Sequence, residues 1–255
     1  FCFRLCPLAI SRMVAVDWDG DGLFDIFCTS SRNGEEPSRS VWEKKTGFIP
    51  HTPEGVWRGF TPVSSIHVYR NTGSPGAPRF DAPPEQLKAN GVPIELQFGI
   101  HIDLDDADGD GDLDLIAGNE GQTNKRYLND GSGGFSATGT AVGSETDQTE
   151  SLVLGDLDSD GDLDIVTNDF NAPPMILISN LSDSQADVHF LKVQLQGTES
   201  NRDGLGAKVE VTLSDQVLIQ VHDGQSGYLS QSSLPLYFGL GKSTSIEKLI
   251  VHWPS

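Results

Sequence analysis

Residues 156–166 read DLDSDGDLDIV, with an aspartate at every second position from Asp156 to Asp164. Unit charges ~4 Å apart repel by about 1 kcal/mol in water, and by more near a protein surface. A chain that keeps these carboxylates together therefore needs a counter-charge. Two other stretches share the pattern: DWDGDGLFDIF from Asp17 and DADGDGDLDLI from Asp106. All three fit D-x-D-x-D-G-x-x-D followed by an apolar run, and their starts lie 89 and 50 residues apart. A second marker recurs downstream, with Asn71 in VYRNTG, Asn129 in YLNDG and Asn180 in LISNLS, which lie 54, 23 and 24 residues after the loop starts. The first unit therefore reads like the other two with an insertion at roughly residues 32–64. Self-similarity at this period implies stacked supersecondary units, as in propellers or solenoids.

The segments VAV, HIDL and LVL precede the loops, and FDIF, LDLIA and LDIVT follow them. Short β-rich runs between Gly/Asp/Asn turns predict an all-β fold. Beyond the third unit the repeat is lost but alternation continues. Val209, Val211 and Leu213, then Val217, Ile219 and Val221, alternate with other residues as in a half-buried strand. The expected organisation is a repeat region over residues 1–186 and a smaller β domain over 187–255.

The chain has 255 residues, room for one large domain or two ordinary ones. A net charge of −20 argues against a nucleic acid or an anionic membrane as partner. No apolar run of about 18 residues is present, so no transmembrane helix and no membrane insertion are expected. Cys2, Cys6 and Cys28 are an odd number at irregular spacing, which supports neither a disulfide framework nor a zinc site. A start at Phe1 and an end at Ser255 lead us to expect a piece of a longer chain.

A cation accounts for the carboxylates. Positions 1, 3, 5 and 9 of the loops are Asp17, Asp19, Asp21 and Asp25; Asp106, Asp108, Asp110 and Asp114; and Asp156, Asp158, Asp160 and Asp164. A chain curling around a point aims these side chains inward. The glycine at position 6 (Gly22, Gly111, Gly161) permits the sharp turn. Position 7 needs to offer only its backbone carbonyl, so Leu23, Asp112 and Asp162 are free to vary. All-oxygen coordination suits a hard cation, and Ca²⁺ accepts flexible geometry more readily than Mg²⁺. About three Ca²⁺ sites are expected. An EF-hand requires a glutamate at position 12 between flanking helices. Position 12 is Cys28, Ala117 and Thr167, and the flanks read as strands, so that motif is excluded.

These loops, with turns such as YLNDGSGGF after them, resemble FG-GAP/VCBS-type repeats, the blades of integrin-α-like β-propellers with Ca²⁺ in the inter-strand loop. The stretches LKVQLQGTESNRDGLGAKVEV, GQSGYLSQSSLPLYFGLG and IEKLIVHWPS resemble the ASPIC/UnbV domain that follows such repeats in cartilage-acidic-protein-like chains. The resemblance implies a partial β-propeller followed by a small β-sandwich-like domain. Only the ligand positions carry over as functional residues. Integrin-like propellers usually have seven blades, whereas three units are visible.

No GxSxG, HExxH or P-loop motif occurs, nor a Rossmann-type GxGxxG, and the six histidines form no i, i+4 pair. Trp42, Phe48, Trp57 and Phe60 in the insertion read first as a small hydrophobic cluster that pins a long loop; stacking on sugars is the second reading of the same aromatics, and it makes the alternative function a Ca²⁺-dependent polysaccharide-active enzyme. The reading adopted is a non-enzymatic, secreted or cell-surface scaffold. It binds calcium and presents loops to a protein or glycan ligand.

Overall fold

The computed structural model describes residues 10–32, 63–74, 76–97, 101–135, 138–169, 172–181, 188–199, 201–224 and 235–254. The aromatic insertion and the boundary near Asp187 lie mostly or wholly outside these residues. The first unit comprises β1 (Ile10–Val16), β2 (Asp25–Arg32), β3 (Val63–Tyr69), β4 (Glu85–Gln86), β5 (Lys88–Ala89), β6 (Val92–Pro93) and β7 (Glu95–Gln97). The second comprises β8 (His101–Asp105), β9 (Asp114–Gly118) and β10 (Glu120–Tyr127). The third comprises β11 (Thr140–Gly155), β12 (Asp164–Asp169) and β13 (Met175–Leu177). The tail contributes β14 (His189–Val193), β15 (Lys208–Thr212), β16 (Val217–Val221), β17 (Leu236–Gly241) and β18 (Lys248–His252). The described chain is all-β.

Each unit is built on an antiparallel three-strand meander, and the registers repeat. The aspartate loop closes the first hairpin, with Val16 opposite Asp25, Asp105 opposite Asp114 and Gly155 opposite Asp164. The residue after position 9 then pairs with the third strand: Ile26 with Tyr69, Leu115 with Tyr127 and Ile165 with Leu177. Arg32 and Val63 are paired, so the insertion connects the far ends of β2 and β3.

The units are not three separate blades. In the second sheet the order is β13-β12-β11-β10-β9-β8. The 16-residue strand β11 serves two units. Its first half pairs with β10 and its second half with β12, and the pairing is irregular near Thr149. Strand β9 is buried along its whole length. Leu115 and Ala117 face a core with Trp18, Phe27, Ile66, Ile102 and Phe135. Ile116 faces a second core with Leu152, Leu154 and Leu163. Burial on both faces explains why Leu115, Ile116 and Ala117 are all apolar where a half-exposed strand would alternate.

In the tail, β14 pairs with β17, and β15 lies between β16 and β18. Val209 and Val211 of β15 pack with Phe238 and Leu240 of β17 in a separate core, giving a small two-sheet sandwich. Tyr237, the neighbour of Phe238, points the other way along the strand alternation. It enters the repeat's core beside Ala107, Ile116 and Leu154.

Candidate metal centre

The loops fold around their own backbone amides. At position 1 the carboxylate accepts the N–H of the position-6 glycine in every copy: Gly22 to Asp17 Oδ2 (3.0 Å), Gly111 to Asp106 Oδ2 (2.9 Å) and Gly161 to Asp156 Oδ2 (3.0 Å). Position 5 accepts the N–H of position 7, from Leu23 to Asp21 Oδ1 (2.8 Å), from Asp112 to Asp110 Oδ1 (3.0 Å) and from Asp162 to Asp160 Oδ1 (3.2 Å). The position-6 glycines have φ of 85°, 103° and 101°, the left-handed region that glycine adopts without a Cβ penalty. Position 4 is left-handed too: Gly20 at 70°, Gly109 at 76° and Ser159 at 69°. The sequence reading passed over position 4, although glycine in two of three copies was the available signal.

Position 9 ties each loop to the third strand. Asn71 N–H donates to Asp25 Oδ1 (2.7 Å), Asn129 N–H to Asp114 Oδ1 (2.8 Å) and Ser179 N–H to Asp164 Oδ1 (2.8 Å). The asparagine side chains add a bond to the carbonyl of position 8, Phe24 (3.3 Å) or Leu113 (3.1 Å). This corrects the third marker. The residue equivalent to Asn71 and Asn129 is Ser179, whereas Asn180 is exposed one position beyond. A serine there makes the same backbone bond without the amide, so the sequence match slipped by one.

Nine of the predicted side chains come together in threes. Ligand atoms of Asp17, Asp19 and Asp21 lie within 4.8 Å of one another, as do those of Asp106, Asp108 and Asp114, and those of Asp156, Asp158 and Asp164. Asp25 stands outside its group, held by Arg70, which bonds both Asp19 Oδ2 (2.9 Å) and Asp25 Oδ2 (3.0 Å). Asp110 and Asp160 also lie outside the triads, on exposed turns. Of the position-7 residues, Leu23 and Asp112 are half-buried and Asp162 is buried.

The electrostatics are those of carboxylates short of positive charge. Burial, followed by the charges of Asp110 and Asp114, holds Asp106 well above the ordinary carboxylate range. Burial likewise raises Asp114 to about 8 against the bond from Asn129, and Asp17 to about 6. Asp108 and Asp112 are each raised to about 6 by burial and by Asp110. Asp17 Oδ1 and Asp19 Oδ1 are buried and accept no hydrogen bond. Buried oxygens without donors are costly, and an oxygen-only set of this kind fits a hard divalent cation.

Several residues at the loops gave no sequence signal. Trp18, position 2 of the first loop, donates from Nε1 to the carbonyl of Gly133 (3.0 Å) in the turn of the second unit. The tail lies on the other two loops. Gly241 N–H donates to Gly109 O (2.9 Å), and Tyr237 Oη to Gly161 O (2.6 Å). The Lys192 ammonium pairs with Asp156 Oδ2. Phe190 lies over Gly161, where a Cβ would overlap its ring, and stacks parallel to Tyr237 with centroids 5.9 Å apart.

Residues 106–167 match the FG-GAP-like repeat family, and residues 197–255 match the ASPIC and UnbV family. No curated protein matches the chain. The first match takes in the second and third loops. The FG-GAP-like repeat agrees with a β-propeller-type fold, and the order of repeat then ASPIC/UnbV domain agrees with the sequence reading.

Proposed function

We propose that this chain is a calcium-binding scaffold of the extracellular type, which presents its loops to a protein or glycan ligand. The observation that carries the metal reading is the pair of buried, donor-less oxygens at Asp17 and Asp19, within an aspartate triad that recurs at the second and third loops. Asp17, Asp19 and Asp21, Asp106, Asp108 and Asp114, and Asp156, Asp158 and Asp164 would hold the cation in the respective loops. The carbonyl of position 7 is an additional donor. A bound cation supplies the positive charge that lets the carboxylates remain ionised at close quarters.

The role is structural and not catalytic. Each loop joins two strands of its meander, and its position-9 aspartate ties in the third. Fixing the loop therefore fixes the edge of the unit. Among the described residues no helix is long and apolar enough to cross a membrane. Placement of the protein outside the cell rests on its kinship with FG-GAP-type repeats.

Ca²⁺ binding to the native state alone adds about 1.4 kcal/mol per site at roughly ten times Kd. The melting temperature should therefore rise between EDTA and millimolar Ca²⁺, and rise less with Mg²⁺. Identical melting in EDTA and Ca²⁺ removes the metal reading. Hydrolysis of members of a glycan panel would favour the polysaccharide-active alternative.

A further inference from the structure

The three loops share a backbone design but differ in the cations already beside them. In the first loop, Arg70 precedes the marker Asn71 and clamps Asp19 and Asp25 through one nitrogen. The equivalent residues, preceding Asn129 and Ser179, are Leu128 and Ile178, both apolar and exposed. The third loop receives its cation from elsewhere: Lys192 of β14 reaches Asp156, whose side chain is 1 % exposed. The ammonium also sits 5.7 Å from the Phe190 ring centroid, on the residue that covers Gly161. Among the described residues no Lys or Arg forms an ion pair with the second loop. Arg126 acts on Asp108 only at longer range.

From this asymmetry we infer that Arg70 and Lys192 are built-in counter-cations of the first and third loops. The second loop, which lacks one, is then the site that a divalent cation fills first. The inference rests on the metal reading above and adds an order of filling to it. A monovalent cation bonded to a ligand carboxylate repels an arriving divalent ion, and even with the full screening of bulk water at about 6 Å, Coulomb's law makes this worth roughly tenfold in affinity. It also partly neutralises the empty loop. The first and third loops are therefore less dependent on metal for their shape than the second. Because Lys192 belongs to the tail, occupancy of the third loop and seating of the tail oppose each other through this one ammonium.

The test is calorimetric titration of the full chain with Ca²⁺, using wild type, Lys192→Met, Lys192→Arg and Leu128→Arg. Methionine keeps the apolar stem over Phe190 and removes the charge. Lys192→Met should tighten one weaker site about tenfold, and the gain should shrink in high salt because screening weakens the repulsion it relieves. Lys192→Arg should retain wild-type constants. Leu128→Arg, at an exposed position, should weaken the tightest site. In EDTA, amide exchange should be faster across residues 106–114 than across 17–25 or 156–164. Unchanged constants in both Lys192→Met and Leu128→Arg, with Ca²⁺ still bound, overturn the inference and leave the metal reading intact. Absence of Ca²⁺ binding in the wild type overturns both.

Discussion

The Trp18 indole and the Gly133 carbonyl, 115 positions apart, are joined by a 3.0 Å hydrogen bond that ties the first aspartate loop to the second unit's turn. Trp18 is 2 % exposed and packs edge-on to Phe27 and tilted against Phe135, with centroids 5.1 and 5.0 Å away. Gly133 has φ of 77°, and a Cβ there would come within 2.8 Å of the indole. Trp18→Ala is expected to cost about 3–5 kcal/mol, the usual range for a buried tryptophan. Gly133→Ala should also destabilise. Chemical denaturation measures both, and a Trp18→Ala loss below 1 kcal/mol would mean that the units do not depend on this contact.

The two roles of the aspartates can be separated by mutation. Asp108 is half-buried and accepts the N–H of Asp110 at a long 3.3 Å, whereas Asp114 accepts from Asn129 at 2.8 Å and from Ala107 at 3.1 Å. Asp108→Ala should abolish one Ca²⁺ site and leave metal-free stability nearly unchanged. Asp114→Ala should lose the same site and also cost about 2–4 kcal/mol without metal, because two buried amides lose their acceptor. Equal metal-free stabilities of the two variants would place the clamp elsewhere.

Ser159 should be improvable. It is a non-glycine residue at φ 69° in a slot that Gly20 and Gly109 fill in the other loops. The left-handed conformation costs an L-residue roughly 1–2 kcal/mol. Ser159→Gly should recover about 1 kcal/mol of that and raise the melting temperature in EDTA as well as in Ca²⁺. A lower melting temperature would show that the turn needs the serine.

Tyr237 carries the tail's hold on the third loop. Its phenol is pushed upward in pKa by burial and by the Asp106 carboxylate, so it remains a neutral donor to Gly161 O. Tyr237→Phe keeps the packing in the repeat's core and removes that bond. About 1 kcal/mol of stability should be lost, with faster amide exchange around residues 156–164. Unchanged exchange there would mean that this bond does not order the loop.

The pH dependence should reverse with metal. Without metal, Asp17, Asp108 and Asp112 have pKa values near 6 and Asp114 near 8, all above the ordinary 3.8. Raised folded pKa values mean that the folded chain binds protons more readily than the unfolded one. Their favourable contribution is therefore full below about pH 4 and is lost as pH rises through 6 to 8. Metal requires ionised ligands and binds better as pH rises. In EDTA, stability attributable to the loops should fall between pH 5 and 8. In saturating Ca²⁺ it should rise over the same interval. Thermal melts at pH 5 and pH 8, each with and without Ca²⁺, decide this, and parallel trends would exclude linkage through the loops.

The sequence by itself determined whatever is local to a turn or periodic along the chain. The three D-x-D-x-D-G-x-x-D loops were legible because the bonds that shape them run over two to five residues, from Gly22 to Asp17 or from Leu23 to Asp21. Glycine at position 6 follows from backbone sterics alone. The all-β class followed from strand-length apolar runs and their turns. Contacts between distant segments leave no such period, and only the tertiary structure decided them. Register through the third strand placed Ser179, and not Asn180, on Asp164. Strand β11 looked like the start of one unit and is shared by two. Arg70 lies 51 residues from Asp19, and Lys192 sits on β14 of the tail, outside the unit that holds Asp156, so neither could be matched to its carboxylate from spacing. Charge balance at each loop is set by whichever cation the fold carries there, and that depends on packing between units rather than on the loop's own residues.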